Sequence, residues 1–272
     1  MHSQRITNKA QYHVRTVDRA LSVLKVFITD ESKGELSLTE ISRAVALDQS
    51  TTYRLLVTLE ASGFIKQSDR NGKYRLGVAS LALSEAFLRH NDLSQRAKPS
   101  LVNLRDQCGE TVHLAVLEGL EVVYLDKLAG LHPIGLMSSR VGGRSPAYCT
   151  GLGKSLLAFH PTSEIREAYK SFPLKKYTSN TITDLDTLLK ELAKIRENGY
   201  AVDVEEHEQG VACIAAPVFD HRGIAAAISV SGPSNRVIEQ IAKSNLPEMV
   251  VGAAGEISSQ MGGKASDSTS NV

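Results

Sequence analysis

Cysteine is scarce and its count is odd, three residues spread over a chain of 272. That number builds no disulfide framework, and a reducing compartment is the natural setting. Long apolar runs are missing as well: none approaches the ~20 residues a membrane-spanning helix needs. Residues 1–13 are polar and lack the apolar stretch of a secretory leader, so the expectation is a soluble, cytoplasmic protein. No Cys-x-x-Cys or His-Glu-x-x-His spacing occurs, and neither a metal nor a cofactor is expected. The net charge is only +1.

What is present is ordinary in bulk: 42% hydrophobic residues, 22% charged, 20 Gly and 8 Pro. Those proportions exclude a disordered, collagen-like or rod-forming chain and supply a core without a staple. The length is comfortable for two domains. The charge is unevenly placed. Residues 1–80 hold 12 Lys+Arg against 8 Asp+Glu, a net of +4, and residues 81–272 hold 19 against 22, a net of −3. A basic N-terminal third suggests a module facing nucleic acid, joined to something else.

The first strong pattern is helical. Val17, Ala20, Leu21, Leu24, Phe27 and Ile28 share one face of a first helix. Ser37-Leu-Thr-Glu40 is a capping box that starts a second, with Ile41 and Val45 inward. After a break at Ala46-Leu47, Asp48 can cap a third helix, which runs to about Ser62 and stops at Gly63. Residues 64–67 then read as a strand, Asp69-Arg-Asn-Gly72 as a turn, and residues 73–76 as the returning strand. Helix, helix, turn, helix and hairpin in this order make a winged helix-turn-helix. Residues 78–88 are helical and apolar on more than one face, through Val78, Leu81, Leu83, Phe87 and Leu88. Such a helix is either a connector buried in one chain or one that also meets its copy in a second subunit.

Beyond it, Leu93, Ala97, Leu101, Leu104 and Cys108 line one helical face, with Pro99 as the place for a bend. Strands are expected at 111–117, 122–128 and 133–137, then a helix after Gly151–Gly153 and another near 183–198. Strands at 213–219 and 224–230 follow, and a last helix from about Asn235 to Met261, with Pro247 as its point of interruption. This order makes an α/β or α+β sensor-like domain. The ends, 1–12 and 262–272, are polar or Gly/Ser-rich and are expected to be flexible.

On the third helix, Thr52, Leu55, Leu56 and Leu59 fall on one side, while Ser50, Tyr53, Arg54 and Val57 fall on the other with Gln49 and Thr51 at its edge. A solvated face usually carries Glu and Lys. This one carries groups that donate to phosphates or reach base edges, Arg to guanine and Gln to adenine. The helix N-terminus adds N–H groups and a positive dipole end for a phosphate. Lys73, Tyr74 and Arg75 of the hairpin can lie along an adjacent groove, and Arg15 and Arg19 can touch the backbone. The alternative is that Ser50 and Thr51 only cap the helix while Tyr53 and Arg54 face water.

These stretches resemble the IclR family of bacterial transcriptional regulators. The resemblance rests on RTVDRALSVL (15–24), LSLTEISRAVALDQSTTYRLLVTLEASGFI (36–65), YRLG (74–77), TGLGKSLLA (150–158), IRENGYAVDVEEHEQGVACIAAPVFD (195–220) and AAISVSGP (226–233). One departure is Ala46, where a Gly often sits. The resemblance implies an α+β chain: a winged helix-turn-helix over 13–77, a linker helix over 78–91 and a GAF-like α/β effector-binding domain over 92–261. It implies operator DNA and a small-molecule effector as partners, and homodimers that pair into tetramers on DNA. It also implies an effector pocket lined by Met137, Tyr148, Gly151, Leu152, Asp203, Cys213, Ser229 and Ser231.

The residues speak for a pocket on their own account. Gly151-Leu-Gly153 opens an apolar helix whose first N–H groups suit a carboxylate, and a few polar groups among apolar ones suit a small organic acid. TGLGKS also resembles the end of a phosphate-binding loop, but that loop needs Gly at 148, where Tyr148 stands, and nucleotide binding is rejected. The rival class is an enzyme of GAF-like fold with Cys149 or Cys213 as nucleophile and His113, His132 or His207 as base. A third class, an interaction module that only binds, would not need the Tyr53/Arg54 face.

Overall fold

Ser37 and Glu40 satisfy one another's backbone. The Ser37 hydroxyl accepts from the Glu40 N–H at 3.3 Å, and the Glu40 carboxylate accepts from the Ser37 N–H at 2.7 Å. Helix α2 (Leu38–Ala44) therefore begins where the capping box places it. It follows α1 (Arg15–Val26) and precedes α3 (Gln49–Ala61), β1 (Ile65–Gln67), β2 (Tyr74–Leu76) and α4 (Val78–His90). The computed structural model describes residues 14–28, 34–90, 92–131 and 137–263. The chain divides into two compact units, Met1–His90 and Asn91–Val272.

In the first unit, Thr52, Leu55, Leu56 and Leu59 of α3 are all buried, and the three leucines join Val23, Phe27, Ile41, Ile65 and Tyr74 in one core. The strands pair antiparallel, Ile65 opposite Leu76 and Gln67 opposite Tyr74. Two expectations need correction. Val17, Leu21 and Ile28 of the presumed inward face of α1 are exposed, and Val23 is buried instead. Tyr74 is buried under the wing rather than offered to a groove; its ring closes the bottom of a core that is too small to spare an aromatic side chain.

The turn between α2 and α3 is a Schellman closure. The Leu47 N–H donates to Ser42 O at 3.1 Å and the Ala46 N–H to Arg43 O at 3.3 Å. That geometry needs a left-handed residue, and Ala46 supplies it at φ 52°. A Cβ in this region costs on the order of 1 kcal/mol.

The second unit is a six-stranded antiparallel sheet between two helical layers. Its elements are α5 (Asp92–Cys108), β3 (Thr111–Glu118), β4 (Glu121–Leu128), β5 (Arg144–Pro146), a 3-10 turn (Ala147–Cys149), α6 (Gly151–Leu157), α7 (Thr162–Lys170), α8 (Leu185–Asn198), β6 (Ala201–Val204), β7 (Val211–Asp220), β8 (Gly223–Pro233), α9 (Ser234–Lys243) and α10 (Leu246–Gln260). The strand order is β5-β4-β3-β8-β7-β6. With every neighbouring pair antiparallel, the domain is α+β.

Both sheet faces are covered, so the central strands read as near-continuous apolar runs. Along β7, Ala212, Ile214, Ala216 and Val218 face α5 and α10, while Ala215 faces α6 and α8. Alternation therefore puts Cys213 of β7, Ser229 and Ser231 of β8, and His113 of β3 on the α6 side.

The presumed last helix is two, broken at Ser244 and Asn245, with Pro247 tolerated in the first turn of α10. The strand expected at 133–137 lies outside the described residues except for Met137, which is not in a strand. Gly262, placed by sequence in a loose tail, bridges to Asp220, and the Gly263 N–H donates to Ser258 O at 2.8 Å. The remaining tail and residues 1–13 lie outside the described residues. Among the described residues no helix is long and apolar enough to cross a membrane.

Replacing Ala46 by Gly relieves the left-handed strain but adds freedom to the unfolded chain. The expected net is a gain of about 0.5–1 kcal/mol in the stability of the first unit, read by denaturant unfolding.

Candidate functional site

Two surfaces carry chemistry, one in each unit. In the first, Asp48 caps α3: the Thr51 N–H donates to its Oδ1 at 2.8 Å, and the hydroxyls of Ser50 and Thr51 donate to the same carboxylate at 2.6 and 2.7 Å. The Ser50 hydroxyl first, then Thr51, holds the Asp48 carboxyl well below the usual range. The Asp48 carboxylate thus shares the positive end of the helix at which the sequence suggests a phosphate contact. Ser50 and Thr51 have spent their protons locally and can only accept. Gln49 donates to Thr39 at 3.2 Å. Tyr53, Arg54 and Val57 stand exposed on the outer side. Arg15 is also exposed. A groove between α1 and α3 is lined by Thr16, Arg19, Thr51, Arg54, Leu55 and Thr58. Arg75 is exposed and Lys73 half-buried on the wing.

The second surface is a cavity on the α6 side of the sheet. Register builds its floor. Asp203 of β6 lies opposite Cys213 of β7, and Cys213 opposite Ser231 of β8, so the three form one row across the strands. The next row holds Ala215, Ser229 and His113. Helix α6 closes against the floor at very short range. A Cβ on Gly151 would lie 2.9 Å from Cys213 Sγ, and one on Gly153 would lie 2.2 Å from the Ala147 backbone. Only glycine permits this approach.

Met137, Gly151, Leu152, Asp203, Cys213 and Ser231 line the cavity, six of the eight residues expected there. Tyr148 does not: it is buried elsewhere, its phenol donating to Lys175 O and its ring edge-on to Tyr169. Ser229 is fully buried behind the wall and bonds to His113 Nδ1 at 3.4 Å. Sequence reasoning missed the far wall as a ligand surface, namely His113, Tyr124, Ser138, Ser139, Ser145, Thr150, His207, Glu208 and Val211. The period-2 alternation through His113 would have found that one residue. The loop residues left no pattern.

The cavity's titratable groups are mostly neutral. Burial lowers His113 to about 3, with Lys127 adding to the effect; its Nε2 bonds to the Ser139 hydroxyl at 2.9 Å. Burial also lowers His207. Burial pushes Asp203 up to about 7, against the Glu206 N–H that it accepts at 2.8 Å. Near neutral pH this carboxyl is therefore partly protonated and able to donate.

The arrangement argues against the cysteine nucleophile. Burial raises Cys213 to about 11, with Asp203 adding to the effect, and raises Cys149 above the ordinary thiol range. A thiol held neutral is a poor attacking group. Cys149 is not in the cavity wall, and the proposed base His132 lies outside the described residues.

Two family profiles match the chain. "IclR helix-turn-helix domain" covers residues 16–69, and "Bacterial transcriptional regulator IclR C-terminal" covers residues 85–259. The chain belongs to the IclR family of transcriptional regulators. Among its relatives, the HTH-type transcriptional regulator XynR of Escherichia coli is 38% identical over 82% of this chain and 88% of the relative. The transcriptional repressor IclR of the same organism is 34% identical over 94% and 93%. The crystal structure of the Thermotoga maritima IclR has a TM-score of 0.71 at 35% identity, covering 92% of this chain and all of that one. An IclR homologue from Microbacterium hydrocarbonoxydans, solved with 4-hydroxybenzoate, has a TM-score of 0.78 at 29% identity, over 90% and 98%. These relatives are named as regulators and repressors, not enzymes, and the IclR membership makes this chain a DNA-binding regulator with a C-terminal effector domain.

Folding raises the pKa of Asp203, so the folded chain holds this proton more tightly than the unfolded one. The stability it contributes is fullest below about 3.8 and falls as pH rises to about 7. In Asp203→Asn that component is removed. The stability advantage of the variant over the wild type grows across this window and is level above it, as thermal unfolding at stepped pH reads directly.

Proposed function

We propose that this regulator reads its operator with the outer face of α3 and adjusts that binding to a small organic acid, carboxylic or aromatic, held over the Asp203–Cys213–Ser231 row. The observation that carries the reading is the pairing of an outward polar helix face in one unit with a cavity of mixed polar and apolar lining in the other.

On the DNA side, Tyr53 and Arg54 are the donors left after the cap is satisfied, and Arg54 suits guanine. Gln49, Ser50 and Thr51 act as acceptors or reorient on binding. Arg15, Arg19, Lys73 and Arg75 meet phosphates, which fix register without reading sequence. The exposed apolar side chains Val78, Leu81, Leu83 and Phe87 of α4, with Val17 and Leu21 of α1, support a homodimer. Two winged helices then address successive major grooves, and two dimers pair on the DNA.

On the ligand side, a carboxylate is met by the Ser231 hydroxyl and protonated Asp203, while Leu152, Met137 and Val211 supply apolar wall. The Microbacterium homologue binds 4-hydroxybenzoate, an acid of this class, and the Tyr124 and His113 rings 5.3 Å apart offer an edge to such a ring. The effector's differential affinity for two arrangements of the dimer sets the change in DNA binding, typically ~1–3 kcal/mol.

Arg54→Ala is expected to weaken binding to a promoter fragment from the protein's own locus by roughly 5- to 150-fold, with ligand affinity unchanged. An unaltered footprint removes α3 as the reader. For the cavity, affinity for a carboxylate is expected to fall as pH rises through about 7. Asp203→Asn keeps binding and loses that dependence, and Asp203→Ala loses binding. Calorimetry across pH separates the three, and an equal pH profile in wild type and Asp203→Asn rejects the donor role.

A further inference from the structure

The lysine of the TGLGKS motif is left over by the reading above. Lys154 is 1% exposed, at the heart of the second unit. Its Nζ donates to Val202 O at 2.7 Å, pairs with the Glu206 carboxylate, and has Glu191 at 3.8 Å. The second oxygen of Glu206 is buried without a hydrogen-bond partner among the described residues, so Lys154 is the one cation on that carboxylate.

Glu206 stands within the turn between β6 and β7 that bears the cavity residues His207 and Glu208 and follows the cavity residue Asp203 of β6. Its N–H donates to Asp203 Oδ1 at 2.8 Å. Thr181 and Thr178 donate to the carbonyls of Glu206 and Glu205, each at 2.6 Å. Glu205 is left-handed at φ 57°, a conformation that does not hold itself. Gly151 and Leu152 of α6 form the opposite cavity wall. Lys154 thus ties the two walls together.

We propose that Lys154 is a positioning residue for effector recognition: reaching from α6 to Val202 of β6 and to Glu206, it fixes the end of β6 and the turn that follows so that Asp203, His207 and Glu208 face the cavity. This rests on the cavity being the effector site. The mechanism is the cost of an uncompensated buried charge. Without the ammonium, the Glu206 carboxylate must reach water or a proton, and the turn that carries it moves. The charge on Asp203 responds too. The groups facing it are Glu206 and Glu208 on its own turn, Lys154 from α6, Cys149 before α6, Cys213 from β7 and Tyr124 from β4. Lys154 is the cation among them and favours the ionised form.

The test uses the ligand-free full chain, with amide exchange and carboxyl-labelled NMR of Asp203 as readouts. In Lys154→Met, exchange at the Glu206 N–H is expected to rise about tenfold or more while β7 and β8 keep their protection. The Asp203 midpoint is expected to move upward from about 7. Where that variant fails to fold, Lys154→Met with Glu206→Gln leaves no lone buried charge but still lacks the link from α6, and a smaller rise in exchange at residue 206, about threefold, is expected. Unchanged Glu206 protection in whichever variant folds overturns the proposal. So does an unchanged affinity of Lys154→Met for acetate or 4-hydroxybenzoate where the wild type binds them. A wild type that binds neither probe counts against the effector reading alone, and the exchange result still decides the role of Lys154.

Discussion

Helix α6 lies so close to the sheet at Gly151 and to the 3-10 turn at Gly153 that both positions exclude a Cβ, and the geometry of the cavity follows from that approach. Gly151 meets Cys213 and Gly153 meets Ala147 at distances no other residue survives. Brought this near, the helix roofs the Asp203–Cys213–Ser231 row and delivers Lys154 into the interior. The same approach buries the groups between helix and sheet, and burial is the leading cause of the shifts at Asp203, His113 and Cys213 alike. A cavity lined by a partly protonated Asp203, neutral imidazoles and hydroxyls can recognise a ligand by hydrogen bonds. A lysine stands nearby, but it is turned to Glu206 and away from the opening.

Local devices were legible in the sequence because they act over three or four residues. The capping box at Ser37, the Asp48 cap and the inward leucines of α3 all stand where spacing puts them. The antiparallel sheet was legible as separate strands, but its row of site residues was not, since register joins positions ten to thirty residues apart and no local rule states it. The misses were short or marginal elements. Helix α7 buries only Ile165 and Tyr169, β6 is a four-residue edge strand, and β5 has three residues. Each draws its stability from tertiary contacts rather than from its own pattern. Tyr148 failed for a different reason. It lies in the motif that forms the cavity, but its 3-10 turn aims it at Lys175 and Tyr169.

The first unit shows how a missing partner reads in sequence. Its apolar residues were taken as one inward stripe on α1, yet the core accepts Val23 and Phe27 and leaves Val17 and Leu21 out. A small domain cannot bury every apolar residue that helical periodicity offers it. With α4, whose Val78, Leu81, Leu83 and Phe87 are also exposed, the surplus amounts to an apolar surface that water does not favour. What looks like a miscount of the core is an apolar surface that the first unit leaves uncovered, and the homodimer proposed above is what would cover it.

The two units must still exchange free energy, and the site limits how. An effector shifts operator affinity only by the difference in its affinity for two arrangements of the protein. The floor of the cavity is the centre of a doubly covered sheet, packed too tightly to take two arrangements. The turn after β6 is built differently, with a left-handed Glu205 and with backbone groups tied to threonine hydroxyls, to the Asp203 carboxyl at the end of the floor and, through Glu206, to one ion pair. On the reading proposed here, the response to an effector turns on how firmly the Lys154–Glu206 pair holds this segment as well as on how the floor fits the ligand.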